Sequence, residues 1–133
     1  MKNKKVVIAG SAKLQESINN IKEYFNKINY EILNYPRVIE KEEFVHVYPQ
    51  IFRDFFESIT NADMLFIMNE DKNGIKGYIG AETFAELTFG LTQKLVYNKQ
   101  IDLVIFKMPA KEVQCYEEIN LWLQLGWIKL YKE

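Results

Sequence analysis

The chain is poor in the residues that hold metals or build a disulfide frame. Its one cysteine, Cys115, leaves no internal disulfide and no cysteine-rich zinc site. Its one histidine, His46, leaves no histidine-based metal cluster, so neither a metal nor another cofactor is expected. A surplus of one charge is lacking too. The 17 basic and 18 acidic residues leave a net charge of −1, without the basic excess by which a general nucleic-acid binder displaces counterions. Long apolar runs are also missing. After the basic start, Met1 to Lys5, only Val6-Val7-Ile8-Ala9 precede Gly10. That run is too short for a signal peptide and far too short to cross a bilayer. The expectation is a cytoplasmic protein with no nucleic-acid and no membrane partner. Repeats and low-complexity tracts are absent, and 133 residues suit a single domain over 1–133 with one sizeable core.

What is present is an alternation of two apolar periods. Val6 to Ala9 reads as a buried strand. Leu14, Ile18, Ile21, Phe25 and Ile28 recur at helical spacing. Tyr30 to Leu33 reads as a second strand nearer a sheet edge, ended by Pro36. Arg37 to His46 reads as loop, after which Pro49 opens a helix carrying Phe52, Phe55, Phe56 and Ile59. Met64 to Met68 is a strand buried on both faces, and Asn69 to Gly80 a loop. A helix from Ala81 directs Phe84, Leu87, Leu91 and Leu95 to the core. Ile101 to Phe106 is a strand, and Val113, Tyr116, Ile119 and Leu123 mark a last helix. Trp127 to Tyr131 has no assignable pattern. The alternation predicts an α/β layered fold with a mainly parallel sheet of four or five strands. Ligands in such sheets sit beyond the carboxyl ends of the strands, where the topology reverses. The loops after the first and third strands are therefore the ones to inspect.

In the first, Ala9-Gly10-Ser11-Ala12-Lys13, Gly10 permits a tight turn and Ser11 is placed to cap the next helix. This is an ordinary capped junction or an anion site at a helix start. Lys13 is either a solvated residue or a charge partner for a phosphate. In the second, Gly77-Tyr78-Ile79-Gly80, two glycines frame an aromatic ring. Either the loop needs positive φ twice, or the ring covers a flat ligand that the glycine backbone approaches. Glu86 follows in the helix, roughly 130° from the Phe84/Leu87/Leu91 stripe at about 100° per residue. It is expected to face solvent, a cleft or a partner subunit, with the helix dipole favouring its ionised form. Phe89 lies toward the same side and, with Trp122, suggests a homo-oligomer. His46 and Cys115 read as surface and packing residues.

Three stretches together, Ala9–Lys13, Ile59–Ile67 and Gly77–Glu86, resemble the nucleoside 2-deoxyribosyltransferase superfamily, especially its small bacterial members. The resemblance implies a flavodoxin-like three-layer sandwich, commonly oligomeric, that binds a nucleoside or nucleotide. It implies Glu86 as the nucleophile at the anomeric carbon, with Gly10 and Ser11 near the sugar or its phosphate. Gly77, Tyr78, Gly80 and Thr83 belong to the same motif and are expected to touch substrate. Two positions depart from the family's pattern: Val7 replaces a tyrosine of the first strand, and Gly80 stands near a missing aspartate. Asp63 is the only other acid offered as a proton donor to the leaving base. The expected activity is N-glycosidic cleavage or deoxyribosyl transfer. A non-catalytic nucleotide-binding or sensing module is the alternative.

Overall fold

A computed structural model describes residues 3–132. In chain order the elements are β1 (Lys5–Ala9), α1 (Gln15–Lys27), β2 (Glu31–Asn34), α2 (Phe44–Thr60), β3 (Met64–Ile67), α3 (Ala81–Leu95), β4 (Asp102–Ile105), α4 (Tyr116–Gln124) and β5 (Lys129–Leu130). The five strands lie in the order β2-β1-β3-β4-β5, and every neighbouring pair is parallel. This is a flavodoxin-like three-layer fold, and its direction of winding reverses between β1 and β3.

The apolar runs explain the layering. Val7, Ala9, Leu65, Ile67, Leu103 and Ile105 point to the face covered by α2, α3 and α4. Their neighbours Val6, Ile8, Phe66, Met68 and Val104 point to the face covered by α1. Alternating side chains are thus buried on both sides, so the central strands carry unbroken apolar runs. Phe66 is fully buried, with the rings of Phe25 and Tyr131 each 5.4 Å away edge-on. Edge strand β2 is only half-buried, as its mixed composition implies.

Several elements differ from the sequence expectation. Helix α2 starts at Phe44, so Pro49 lies within it rather than opening it. The Tyr48–Phe52 ring contact, 6.0 Å, spans the proline, and Phe44–Tyr48 at 5.2 Å holds the turn before it. Leu95 is exposed rather than in the core. The tail that had no assignable pattern supplies β5, a two-residue edge strand with both residues exposed. Phe89 packs on Phe56 with centroids 5.1 Å apart, and Trp122 stacks on Phe84 at 5.4 Å. Both rings find partners within the chain, so the expected homo-oligomer loses the support they lent it. No helix among the described residues is long and apolar enough to cross a membrane.

Candidate active site

The carboxyl ends of β1 and β3 meet where the two inspected loops emerge. Gly10 has φ +154°, and a Cβ there would lie 2.8 Å from the Met68 carbonyl oxygen. Only glycine allows the first loop to leave the sheet so close to the third strand. Ser11 does not cap α1. A turn closed by Leu14 N–H donating to the Ser11 carbonyl (3.0 Å) intervenes, and α1 starts only at Gln15. The Ser11 hydroxyl is turned to other work. It accepts a hydrogen bond from Lys72 Nζ at 2.9 Å, tying the first loop to the second.

The second loop is held from below by Asn69, which is 1% exposed. Its Oδ1 accepts from the N–H groups of Phe106 (2.9 Å) and Lys107 (3.1 Å). Its Nδ2 donates to the carbonyls of Lys107 (2.6 Å) and Gly77 (3.2 Å). Asp71 accepts from Gly77 N–H at 3.0 Å, which holds its carboxyl below the usual range, and Lys107 pairs with both Glu70 and Asp71. Gly77 has φ +60°, and a Cβ there would strike the Met108 carbonyl at 2.7 Å. Gly80 departs from the expected second positive φ: it sits at φ −83°, ψ 175° as the N-cap of α3. The Tyr78 ring lies over it, and Lys72 Nζ stands 5.2 Å from that ring's centroid.

Helix α3 turns Thr83, Glu86, Leu87, Gly90 and Leu91 inward. A pattern of large apolar residues alone misplaces this face, because small and polar residues occupy its middle. A Cβ on Gly90 would come within 2.9 Å of both Leu65 and Leu103, so α3 lies tight on the sheet there. One turn earlier, Glu86 is only 7% exposed and lines a cavity. No hydrogen-bond donor or cation among the described residues pairs with its carboxylate. Burial, and secondarily the charge of Glu82, push its pKa up to about 8. Desolvation therefore outweighs the helix dipole that the sequence suggested would keep it ionised. Tyr48 faces the same carboxylates across the cavity, and the charge of Glu82, then burial and Glu86, raise its pKa.

The cavity measures about 670 Å³, within the range of small-molecule sites. Gly10, Ser11, Tyr78, Gly80, Thr83 and Glu86 all line it. Unforeseen in the sequence, Lys72, Arg37 and the aromatic side chains of α2 line it as well. Helical spacing of aromatics from 44 onward was the signal, masked by the charged stretch before it and by Pro49.

The fold is shared with a nucleotide glycosidase. The CMP N-glycosidase BcmB of Clostridium botulinum aligns with a TM-score of 0.60, covering 98% of this chain and 91% of that one at 13% sequence identity. No protein-family model matches the chain, and no curated protein does.

Three expected residues lie outside the cavity. Lys13 is exposed, and Gly77 is buried beneath its loop. Asp63 is at the opposite, amino-terminal edge of the sheet, where its Oδ2 accepts from Lys5 N–H at 2.8 Å. The four residues of β3 carry the chain from it to the carboxyl end of the strand, roughly 13 Å. It is out of reach as an acid for chemistry at Glu86. Among the described residues no cluster of three or more histidine, cysteine or acidic side chains is placed to hold a metal ion.

Proposed function

We propose that the protein cleaves the N-glycosidic bond of a nucleotide, with Glu86 as the attacking group. The observation that carries this reading is the Glu86 carboxylate, 7% exposed and without a partner among the described residues, in a cavity at the point where the sheet's winding reverses. The resemblance of the Gly77–Glu86 stretch to nucleoside 2-deoxyribosyltransferases and the fold shared with a CMP N-glycosidase support it.

The chemistry follows from charge. As the C1′–N bond weakens, the sugar carbon gains cationic character, which favours the ionised form of an adjacent carboxylate. Glu86 gives its proton to solvent and attacks C1′. The C1′–N electron pair leaves with the base nitrogen, which takes a proton from water. Water then hydrolyses the glycosyl ester, releasing the sugar and restoring the carboxylate. With a second base as acceptor in place of water, the same intermediate gives transfer. Lys72 and Arg37 suit a phosphate: among the described residues neither is paired with a carboxylate, and Ser11 orients Lys72.

The test is incubation with nucleosides and nucleoside 5′-monophosphates, with free base followed by chromatography. Base release that Glu86→Ala abolishes supports the reading. Tight nucleotide binding with no base released by the wild-type protein overturns it and favours a nucleotide-sensing module. Val7, standing where related transferases carry a tyrosine, is the feature that favours that second reading.

A further inference from the structure

We infer that the aromatic side chains of α2 are the wall against which the substrate's base stacks, and that Phe52 is its principal contact. This rests on the nucleotide reading above and adds the element that selects the base.

Phe44, Tyr48, Phe52 and Phe56 follow one another at four-residue spacing along a single face of α2. Their centroids are 5.2, 6.0 and 4.4 Å apart, and Phe56 is anchored edge-on to Phe89 at 5.1 Å. All four rings of this row line the cavity that holds Glu86. Phe56 packs against the core, but core packing does not account for Phe44 and Phe52, which are 43% and 44% exposed. Neighbouring planes are tilted by 33° to 48°, so the rings do not cover one another face to face. A row of rings lining a concavity, two of them exposed, calls for a flat apolar occupant.

Of the parts of a nucleotide, only the base has that character. The phosphate and sugar hydroxyls need the polar groups found elsewhere in the cavity, at Ser11, Lys72 and Arg37. The bond to be broken must lie beside Glu86 on α3, and the row meets α3 where Phe56 packs on Phe89, three residues beyond Glu86. Of the two exposed rings, Phe52 is the nearer to that junction along the row, 4.4 Å from Phe56, and is the one left open for the base to cover. Stacking tolerates every base, because each has a π-face. Preference among bases then follows stacking area.

The experiment measures binding by calorimetry in a Glu86→Gln background, which prevents turnover. The ligands are the four common ribonucleoside 5′-monophosphates and ribose 5-phosphate, which lacks the base. Phe52→Ala is expected to weaken the best nucleotide about tenfold or more, as loss of a stacking partner does. Ribose 5-phosphate affinity should stay within about twofold, and Phe52→Tyr should restore nucleotide affinity. Equal weakening of both ligands would make Phe52 a merely structural residue and overturn the inference. Unchanged nucleotide affinity in Phe52→Ala would overturn it too, leaving the glycosidase reading intact. If no nucleotide binds even without the Phe52 change, while wild-type protein releases no base, the glycosidase reading itself fails and the base wall falls with it.

Discussion

Replacing Glu86 by glutamine should make the protein more stable at alkaline pH and leave it nearly unchanged in acid. The carboxylate is 7% exposed, without an ion-pair partner among the described residues, and its pKa is raised from 4.5 to about 8. In the unfolded chain it ionises near pH 4.5, whereas the folded protein holds the proton to about pH 8. Between these values the unfolded state binds fewer protons, so stability falls as pH rises, by about 1.4 kcal/mol per unit. Allowing for partial ionisation of the unfolded chain at pH 5, this group should lower wild-type stability by on the order of 4 kcal/mol between pH 5 and pH 8.5. Glutamine keeps the shape and cannot ionise. Urea unfolding of both proteins at pH 5, 7 and 8.5 gives the comparison, and subtracting the curves cancels the titrating groups that do not sense Glu86, leaving only its coupling to Glu82 and Tyr48. A stability difference that widens steadily with pH in favour of Glu86→Gln is the expected result. Curves that stay parallel to within about 1 kcal/mol would refute the claim that this carboxylate is desolvated and unpaired.

If the ionised carboxylate is the attacking form, kcat/KM for base release should rise about tenfold per pH unit below pH 8 and level off above it, as a pH–rate profile would record. Asn69→Leu removes four hydrogen bonds beneath the glycine loop; it should lower stability by about 2–4 kcal/mol, measured by chemical unfolding. Lys72→Met should weaken a nucleoside 5′-monophosphate about tenfold or more and the matching nucleoside hardly at all, seen in the ratio of their dissociation constants. Phe66→Ala, at the centre of the α1 face, should cost about 3–5 kcal/mol in the same unfolding assay, and a cost below about 1 kcal/mol would show that this core is looser than its ring contacts imply.

The parallel sheet was legible because its central strands are buried on both faces and so carry unbroken apolar runs, Val6–Ala9 and Met64–Met68 above all. The two loops that matter were legible because glycine stands where backbones nearly touch, at Gly10 and Gly77. Helix α2 was cut short in the reading because Pro49 and the acidic stretch before it carry local signals that ring packing overrides. Two-residue β5 was not assigned at all, since a strand so short has no period to detect.

Glu86 marks the boundary most sharply. Its place in the Gly77–Glu86 motif was visible in the chain, but its burial was not. The inward face of α3 is centred on Thr83, Glu86 and Gly90, and hydropathy spacing finds large apolar side chains rather than small ones. Asp63 shows the converse. It is an acid at the start of a strand, and the strand direction carries it to the far edge of the sheet. The amino-acid sequence by itself marked the central strands, most of the helices and the tight loops at Gly10 and Gly77, because burial periodicity and backbone sterics act over a few neighbouring residues. Tertiary structure alone decided that the rings of α2, the Lys72 ammonium and the Glu86 carboxylate share one cavity, because cavities and desolvation arise from elements far apart in the chain.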